Sequence, residues 1–166
     1  MYEDLKEAVW RSNLELPRQK LVIYSWGNVS GIDRRAGVVA IKPSGVAYDE
    51  LMPDKIVVLN FAGEAVEGSL RPSSDTPTHL ELYRSFTGIG GICHTHSVYA
   101  TMWAPAANHG PFTWGSAPEA AVVLEQAAMM ALGTLTLGPK QESISQVLPD
   151  KHYLRKHGKG AYYGQK

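Results

Sequence analysis

Two histidines separated by one residue, His94 and His96, are the side chains in this sequence best suited to chemistry. In a strand, residues i and i+2 point to the same face, so both imidazoles should project together from the strand predicted at 91–93. Asp75 and His109 add two further metal-ligating groups. Three neutral imidazoles on a divalent ion leave a fourth position open, as in catalytic zinc sites. A His-x-His pair alone is more often two surface or hydrogen-bonded histidines than a metal site, and Asp75 and His109 favour the metal interpretation.

Three polar segments stand at the ends of predicted elements and carry the groups that bind a phosphate monoester. Between them they supply amide, hydroxyl, backbone N–H and one cationic group. The segments are Gly27-Asn28-Val29-Ser30, Lys42-Pro43-Ser44-Gly45 and Ser73-Ser74-Asp75. Each one alone is also an ordinary turn sequence, and Asp75 stands where a residue that caps the following helix would stand.

Helices and short strands must position these groups. Apolar spacing predicts a first helix over 3–13, closed by Pro17, and a second over 76–86 with a proline near its start. A capping-box sequence followed by an alanine-rich stretch predicts a third helix over 117–132. Strands are predicted at the β-branched runs 21–24, 38–41 and 56–59, each followed by turn residues, and at the segment that leads into the histidine pair.

Composition favours one cytoplasmic domain. Of the 166 residues, 44% are apolar, which is enough for a sizeable core. Sixteen basic and sixteen acidic residues cancel without a long run of like charge, which excludes an electrostatic nucleic-acid surface. No apolar run approaches the roughly 20 residues that span a bilayer, so neither a membrane span nor a signal peptide is predicted. The single Cys93 excludes an internal disulfide and is best interpreted as a buried thiol.

Longer motifs contain these residues and extend over almost the whole chain. They are AVWRSNLELP at 8–17, SWGNVSGID at 25–33, IKPSGV at 41–46, RPSSDTPTH at 71–79, GGICHTHSVYAT at 90–101, NHGPFTWG at 108–115 and DKHYLRKHGKGAYYGQ at 150–165. Together these motifs resemble the class II aldolase/epimerase family, and within it the L-ribulose-5-phosphate 4-epimerases.

The resemblance implies an α/β fold with three αβα layers, in which helices cover a central, largely antiparallel sheet. It implies a homotetramer with active sites between subunits. His94, His96 and His109 match the family's Zn²⁺ ligands, and Asp75 matches a carboxylate at the metal that takes part in proton transfer. The residues that match phosphate- or substrate-binding positions are Asn28, Lys42, Ser44, Gly45, Ser73 and Ser74.

The C-terminal residues 150–166 are polar and glycine-spaced, which by composition is typical of a loosely held tail. The resemblance gives this stretch a different role. Tyr163, with His152 nearby in sequence, matches a region that contributes acid/base chemistry across the subunit boundary. Catalysis would then rest on Asp75 and Tyr163, with His152 in the substrate-binding region.

The implied activity is the interconversion of L-ribulose 5-phosphate and D-xylulose 5-phosphate, a phosphorylated pentulose pair, by retro-aldol cleavage and re-addition. An aldolase of the same family, of the fuculose- or rhamnulose-phosphate type, is the alternative enzyme. Family members also continue after the residues matching Trp103-Ala104 with several dozen residues that include an acid/base aspartate. The chain is thus expected to be one domain, 1–166, that lacks a family segment between about Ala104 and Asn108. If that deletion is real, a non-catalytic metal-binding remnant is the third alternative.

Overall fold

The computed structural model describes residues 1–103, 108–112 and 117–136, and of these it describes residues 101–103, 108–112 and 134–136 by their backbone alone. The chain separates into two compact units, Met1–Ala131 and Leu132–Lys166. The sheet and the site described below belong to the first unit. In the second unit only residues 132–136, the last turns of a helix, are described. The expectation of a single domain over 1–166 stays a prediction.

In the described part of the chain, six strands form one sheet in which every neighbouring pair is antiparallel. In chain order they are β1 (Asn28–Asp33), β2 (Val38–Ile41), β3 (Val57–Asn60), β4 (Ala65–Glu67), β5 (Gly91–Thr95) and β6 (Asn108–Phe112). Their order across the sheet is β4-β3-β2-β1-β5-β6. Two strands distant in sequence, β1 and β5, therefore lie side by side in the middle of the sheet.

The described residues contain four α-helices, α1 (Glu3–Arg18), α2 (Thr76–Ser85), α3 (Val98–Trp103) and α4 (Ala117–Thr136), and a short 3-10 helix at Pro53–Lys55. The α1 and α4 helices pack on one face, where Leu16 and Ala117 join Val29 in a buried cluster. The α2 helix packs on the other face through Leu80 and Tyr83. The predicted layered α/β fold, with helices covering an antiparallel sheet, is confirmed. No helix in the described part of the chain is both long and apolar enough to traverse a lipid bilayer.

The α1 face of the sheet is apolar. Val38, Ala40 and Val58 are buried against Val9 of α1, with Trp10 packed at the edge of this cluster. The indole N–H of Trp10 donates to the Leu51 carbonyl oxygen at 2.6 Å, which satisfies the polar atom of a half-buried tryptophan. Burial of these apolar side chains on alternate strand positions fixes the register and decides which residues face the opposite side.

The prediction of a strand at 21–24 is wrong. Residues 21–27 form an irregular loop, because Lys20 and Tyr24 have φ values of 57° and 53° and extended pairing cannot continue through that conformation. The first strand begins at Asn28, which the sequence placed in a turn. The first helix also passes the predicted boundary and ends at Arg18, since Pro17 falls in its last turn and costs only one backbone hydrogen bond there. The strands at 38–41 and 57–60 and the helix at 76–85 agree with the prediction.

Candidate functional site

A cavity of about 530 Å³ opens where β1 and β5 meet the loops that follow β2 and precede α2. Every predicted site residue whose side chain the structure describes lines it: Asn28, Lys42, Ser44, Gly45, Ser73, Ser74, Asp75, His94 and His96. Ser25, Trp26, Gly27 and Pro43 complete the lining. His152 and Tyr163 lie outside the described residues, as does the side chain of His109.

The Asp75 carboxylate and the His94 imidazole form the closest polar contact in this cavity. His94 is buried at the end of β5, and its Nδ1 lies 2.6 Å from Oδ2 of Asp75. The hydrogen bond from His94 holds the pKa of Asp75 well below its ordinary value, so this carboxylate is ionised. A carboxylate on Nδ1 fixes the ring so that Nε2 is its metal-binding nitrogen, which is the usual way a ligating histidine is oriented.

Asp75 does not cap the helix that follows it. It occupies the N-cap position of α2 in a helical conformation, and its side chain makes no capping hydrogen bond. The Thr76 hydroxyl instead donates to the Ser73 carbonyl oxygen at 2.6 Å and closes the turn locally. The capping interpretation of Asp75 is therefore wrong, because its carboxylate is turned toward the histidine strand.

The second imidazole, His96, lies just beyond the end of β5. Its ring centroid is 4.8 Å from that of His94, with 36° between the ring planes, so both rings leave the strand end on the same side. Burial, followed by the charge on His94, lowers the pKa of His96. A neutral imidazole is the form that binds a metal ion. The backbone N–H of His96 donates to the Leu21 carbonyl oxygen at 3.0 Å, which ties the strand end to the 21–27 loop.

The donor chemistry fits a divalent ion such as Zn²⁺, because it consists of two adjacent imidazoles, one of them oriented by a carboxylate. Among the side chains that the structure describes, no three His, Cys, Asp or Glu residues gather closely enough to hold a metal ion. A third ligand would have to come from elsewhere. The backbone register of β5 and β6 pairs His94 directly with His109, and paired residues in antiparallel strands have Cα atoms about 4.5–5.5 Å apart.

The residues predicted to bind phosphate lie on two loops that are hydrogen-bonded to each other. The Ser44 N–H donates to the Arg71 carbonyl oxygen at 2.9 Å, and the Ser73 N–H donates to that of Lys42 at 3.2 Å. Gly45 has a φ of +72°, a conformation that glycine adopts without strain at the turn. The hydroxyl of Ser44 on one loop and those of Ser73 and Ser74 on the other therefore line the same cavity.

Lys42 supplies the one cationic group that the sequence placed in these segments. Its side chain is buried, and its Nζ donates to the Ser25 carbonyl oxygen at 3.1 Å. The Nζ also lies 4.8 Å from the centroid of the Tyr48 ring, within range of a cation–π contact. Burial lowers the pKa of Lys42 to about 8. A partly desolvated ammonium of this kind attracts an anion more strongly than one in water.

Asn28 joins the two halves of the cavity. Its Nδ2 donates to Oγ of Ser73 at 3.1 Å and to Oδ2 of Asp75 at 2.7 Å. One side chain therefore contacts both a loop predicted to bind phosphate and the carboxylate that is hydrogen-bonded to His94. The register pairs Asn28 with His94 across β1 and β5. Sequence reasoning placed Asn28 among the phosphate-binding residues, whereas its amide in this structure positions two neighbouring side chains.

Two residues of the site were missed by the sequence analysis. Trp26 lines the cavity with its ring centroid 5.2 Å from that of His96. Tyr48 is buried behind the loop and donates its hydroxyl to the Gly27 carbonyl oxygen at 2.9 Å. The signal for Trp26 was present, because it lies inside the SWGNVSGID motif. Tyr48 gave no signal, since it reaches the site only through the tertiary fold.

Comparison with known proteins gives one family. Residues 7–107 match the profile of the Class II Aldolase and Adducin N-terminal domain. Among solved structures, an L-fuculose 1-phosphate aldolase is similar at 36% identity and a TM-score of 0.58, over 61% of this chain and 48% of that one. The chain thus spans about half the length of that aldolase.

Two more distant structures share the fold over a larger part of the chain. YgbL from Klebsiella pneumoniae has a TM-score of 0.67 at 20% identity, over 91% of this chain and 98% of that one. The L-fuculose 1-phosphate aldolase from Glaciozyma antarctica PI12 has a TM-score of 0.75 at 14% identity, over 91% of this chain and 80% of that one. At these identities the likeness establishes the layered α/β fold.

Proposed function

Since the chain belongs to the class II aldolase and adducin family, we propose that it is a zinc-dependent L-ribulose-5-phosphate 4-epimerase. The observation that carries the proposal is that one cavity contains two hydroxyl-bearing loops, Lys42 and the pair His94 and His96. In this cavity the Asp75 carboxylate is hydrogen-bonded to His94. A phosphate group and a metal-chelated sugar would be held side by side in such a cavity. The C-terminal motif at 150–165, which resembles the epimerases, supports this choice within the family.

The reaction requires a carbon–carbon bond to break. The C4 hydrogen of a 2-ketose is too far from the carbonyl to be removed as a proton, so the C3–C4 bond must break as a base takes the proton of the C4 hydroxyl. C4 and C5 leave as a phosphorylated aldehyde, and the electron pair stays on the C1–C3 ketone fragment. Rotation of the aldehyde, re-addition to its other face and return of the proton to the C4 oxygen give the inverted centre.

The residues of the cavity match the needs of this sequence. Lys42 and the hydroxyls of Ser44, Ser73 and Ser74 would hold the phosphate of the aldehyde fragment while it turns, so recombination stays effectively intramolecular. Zn²⁺ bound by His94, His96 and His109 would act as a Lewis acid and stabilise negative charge on the substrate oxygens. Asp75 orients His94 through Nδ1 and would face the C4 oxygen.

The second proton-transfer group in this proposal is Tyr163, with His152 beside the substrate. Both would reach the cavity of a neighbouring subunit, so the proposal includes a homotetramer with active sites between subunits. Neither residue is in the part of the chain that the structure describes. A phenol can exchange a proton with an alkoxide when nearby cationic groups lower its pKa from about 10 toward the working range. The protein would work in the cytoplasm, in pentose metabolism.

A sugar-phosphate aldolase is the second candidate, and the 36% identity to an L-fuculose 1-phosphate aldolase favours it. An aldolase would release the aldehyde that an epimerase retains. Purified protein should therefore be incubated with Zn²⁺ and either L-ribulose 5-phosphate or L-fuculose 1-phosphate, and the products separated by chromatography and mass spectrometry. The epimerase proposal expects D-xylulose 5-phosphate without accumulation of two- and three-carbon fragments.

Fragments from L-fuculose 1-phosphate, with L-ribulose 5-phosphate unchanged, would replace the epimerase by the aldolase. Turnover of neither sugar by protein that binds both Zn²⁺ and phosphate would support the non-catalytic alternative. His94→Ala is the matched control, because it should remove turnover of whichever substrate the wild-type protein accepts.

A further inference from the structure

We propose that Trp26 determines the ligand specificity of this cavity, because its indole forms the apolar wall that contacts the carbon chain of a bound sugar phosphate. The inference rests on the proposed function, and it names the surface that distinguishes a sugar phosphate from phosphate alone. Trp26 is 54% exposed, yet it lines the cavity beside the histidine pair.

The loop that carries Trp26 is held in place by contacts from three directions. At its start, the His96 N–H donates to the Leu21 carbonyl oxygen at 3.0 Å. At its end, the Tyr48 hydroxyl lies within hydrogen-bond distance of the carbonyl oxygens of Trp26 and Gly27, at 3.0 and 2.9 Å. Within it, the Trp26 N–H donates to the Ile23 carbonyl oxygen at 3.0 Å. These bonds fix the backbone that carries the half-exposed Trp26 side chain at the edge of the cavity.

Gly27 shows how closely this loop approaches the histidine strand. Its φ is +76°, and a Cβ built on it would lie 2.8 Å from the His94 carbonyl oxygen and 2.6 Å from Cγ1 of Val22. Only a glycine fits this approach without a shift of the backbone. The residue before it, Trp26, therefore lies at the mouth of the cavity.

The indole itself is oriented by aromatic contacts. Its ring centroid lies 5.2 Å from that of His96 with 55° between the planes, and 6.3 Å from that of Tyr24 in an edge-on arrangement. Tyr24 is 84% exposed and is not part of the cavity lining. Ring pairs at these separations restrict the rotamers of both partners. Trp26 is thus placed between a surface aromatic and the histidine that faces the ligand.

The chemistry of the cavity leaves the carbon chain of a ligand to this side chain. Lys42, Ser44 and Ser73 offer charge and hydroxyl groups, which suit the phosphate. The C–H face of a sugar needs an apolar surface, and pockets combine such surfaces with a few polar groups that fix orientation. Among the described lining residues, the Trp26 indole is the largest apolar surface, and the negative face of its ring suits polarised C–H groups.

The test compares the affinities of two ligands in three variants. Dissociation constants for inorganic phosphate and for L-ribulose 5-phosphate are measured by calorimetry on zinc-loaded wild type, Trp26→Ala, Trp26→Phe and the matched control Phe86→Ala, with bound zinc determined in each. Phe86 is a half-exposed aromatic residue that does not line the cavity. We expect Trp26→Ala to weaken the sugar phosphate by about 10-fold and inorganic phosphate by less than about 2-fold. Trp26→Phe should recover most of the loss, and Phe86→Ala should bind both ligands like wild type.

Other outcomes overturn the inference in distinct ways. Equal weakening of both ligands by Trp26→Ala would mean that the indole supports the loop and does not contact the carbon chain. An unchanged affinity for the sugar phosphate in Trp26→Ala, in a wild-type background that binds it, would overturn the inference and leave the proposed function standing. Wild-type protein that binds phosphate and not L-ribulose 5-phosphate would overturn the proposed function itself.

Discussion

The two faces of the sheet differ most where β1 and β5 lie side by side. Val29 and Cys93 are paired in register and buried with Leu16 against the α1 face. One position away, Asn28 and His94 are paired in register, are also buried, and face the cavity. The same two strands therefore provide an apolar core on one face and a polar site on the other.

Hydrogen bonds at the site offset the free-energy cost of burying polar side chains there. The Nδ2 of Asn28 is compensated by its hydrogen bonds to Ser73 and Asp75, and the Nδ1 of His94 by its bond to Asp75. On the core face the buried amide of Asn13 is compensated by the backbone of Val9 and Val29. Burial raises the pKa of the Cys93 thiol on that face to about 12, which makes it unreactive. A slip of the register by one residue would exchange the two faces, so the apolar face also fixes the site.

Substitution of neighbouring residues on the two faces gives the largest expected difference. His94→Ala should lower turnover by roughly 10³-fold or more and release bound zinc, because a direct ligand and the partner of Asp75 are both lost. Cys93→Ala, the next residue on the opposite face, should keep turnover within about 2-fold and lower the free energy of unfolding by about 1 kcal/mol. Turnover is measured with the proposed substrate, bound zinc is measured by mass spectrometry, and the free energy of unfolding is measured by urea denaturation. Equal loss of activity in both variants would contradict the division between the faces.

The second expected effect concerns the carboxylate behind the metal ligand. Asp75→Asn should weaken zinc binding by about 10–100-fold, since the amide is a poorer partner for Nδ1 of His94 and keeps the same size. Asp33→Asn is the control at the other end of β1, where the carboxylate accepts from the N–H groups of Arg35 and Ala36. Competition with a zinc chelator measures the affinity. An affinity in Asp75→Asn equal to that of wild type would show that His94 needs no orienting carboxylate.

The parts of the fold that the sequence predicted correctly are those whose pattern is local. The helix at 76–85 begins with a proline and the strand at 38–41 is a β-branched run, so neither depends on distant residues. The loop at 21–27 has a similar β-branched composition, yet it is held by Tyr48 and by the N–H of His96. Tertiary contacts of this kind override local propensity, and no local pattern reveals them.

The contacts within the site were likewise only partly predictable from local sequence patterns. Residue types and element ends indicated which polar segments belong together, and the structure gathers them in one cavity. The family resemblance placed Asp75 at the metal, but the local pattern did not predict its pairing with His94. A serine- and aspartate-rich start of a helix has the same sequence whether its carboxylate caps the helix or faces another strand. The aromatic contact of Trp26 with His96 likewise depends on how β5 and the loop meet.

On the apolar face, stability and activity should separate. Val29 is completely buried, and Val29→Ala should lower the free energy of unfolding by about 2 kcal/mol, because it removes two methyl groups and leaves a cavity. Turnover of the folded protein should stay near that of wild type. Val66→Ala, at a half-exposed position, should cost less than about 0.5 kcal/mol. Urea unfolding measures both, and a large loss of turnover in folded Val29→Ala would mean that the two faces are coupled.

The smallest expected effect is a pH dependence that comes from Lys42. Burial lowers the pKa of Lys42 to about 8, so the ammonium that attracts an anion is lost as the pH rises through that value. Above about pH 8, where inorganic phosphate is already mostly the dianion, its affinity should fall by up to about 10-fold per unit. Calorimetry at successive pH values measures this, and Lys42→Met should bind weakly with no such fall.

The stability of the fold should respond to the same group with the opposite sign. Below pH 8 the folded protein must bury a charged ammonium, which costs free energy. Between about pH 8 and the ordinary lysine value of 10.5, the unfolded chain holds more protons on this residue than the folded one, so the contribution of Lys42 to stability rises with pH. The difference between wild type and Lys42→Met in urea midpoints should therefore change across this window, while anion affinity falls. Phosphate binding that is independent of pH from 7 to 10 in wild type would remove Lys42 from the anion site.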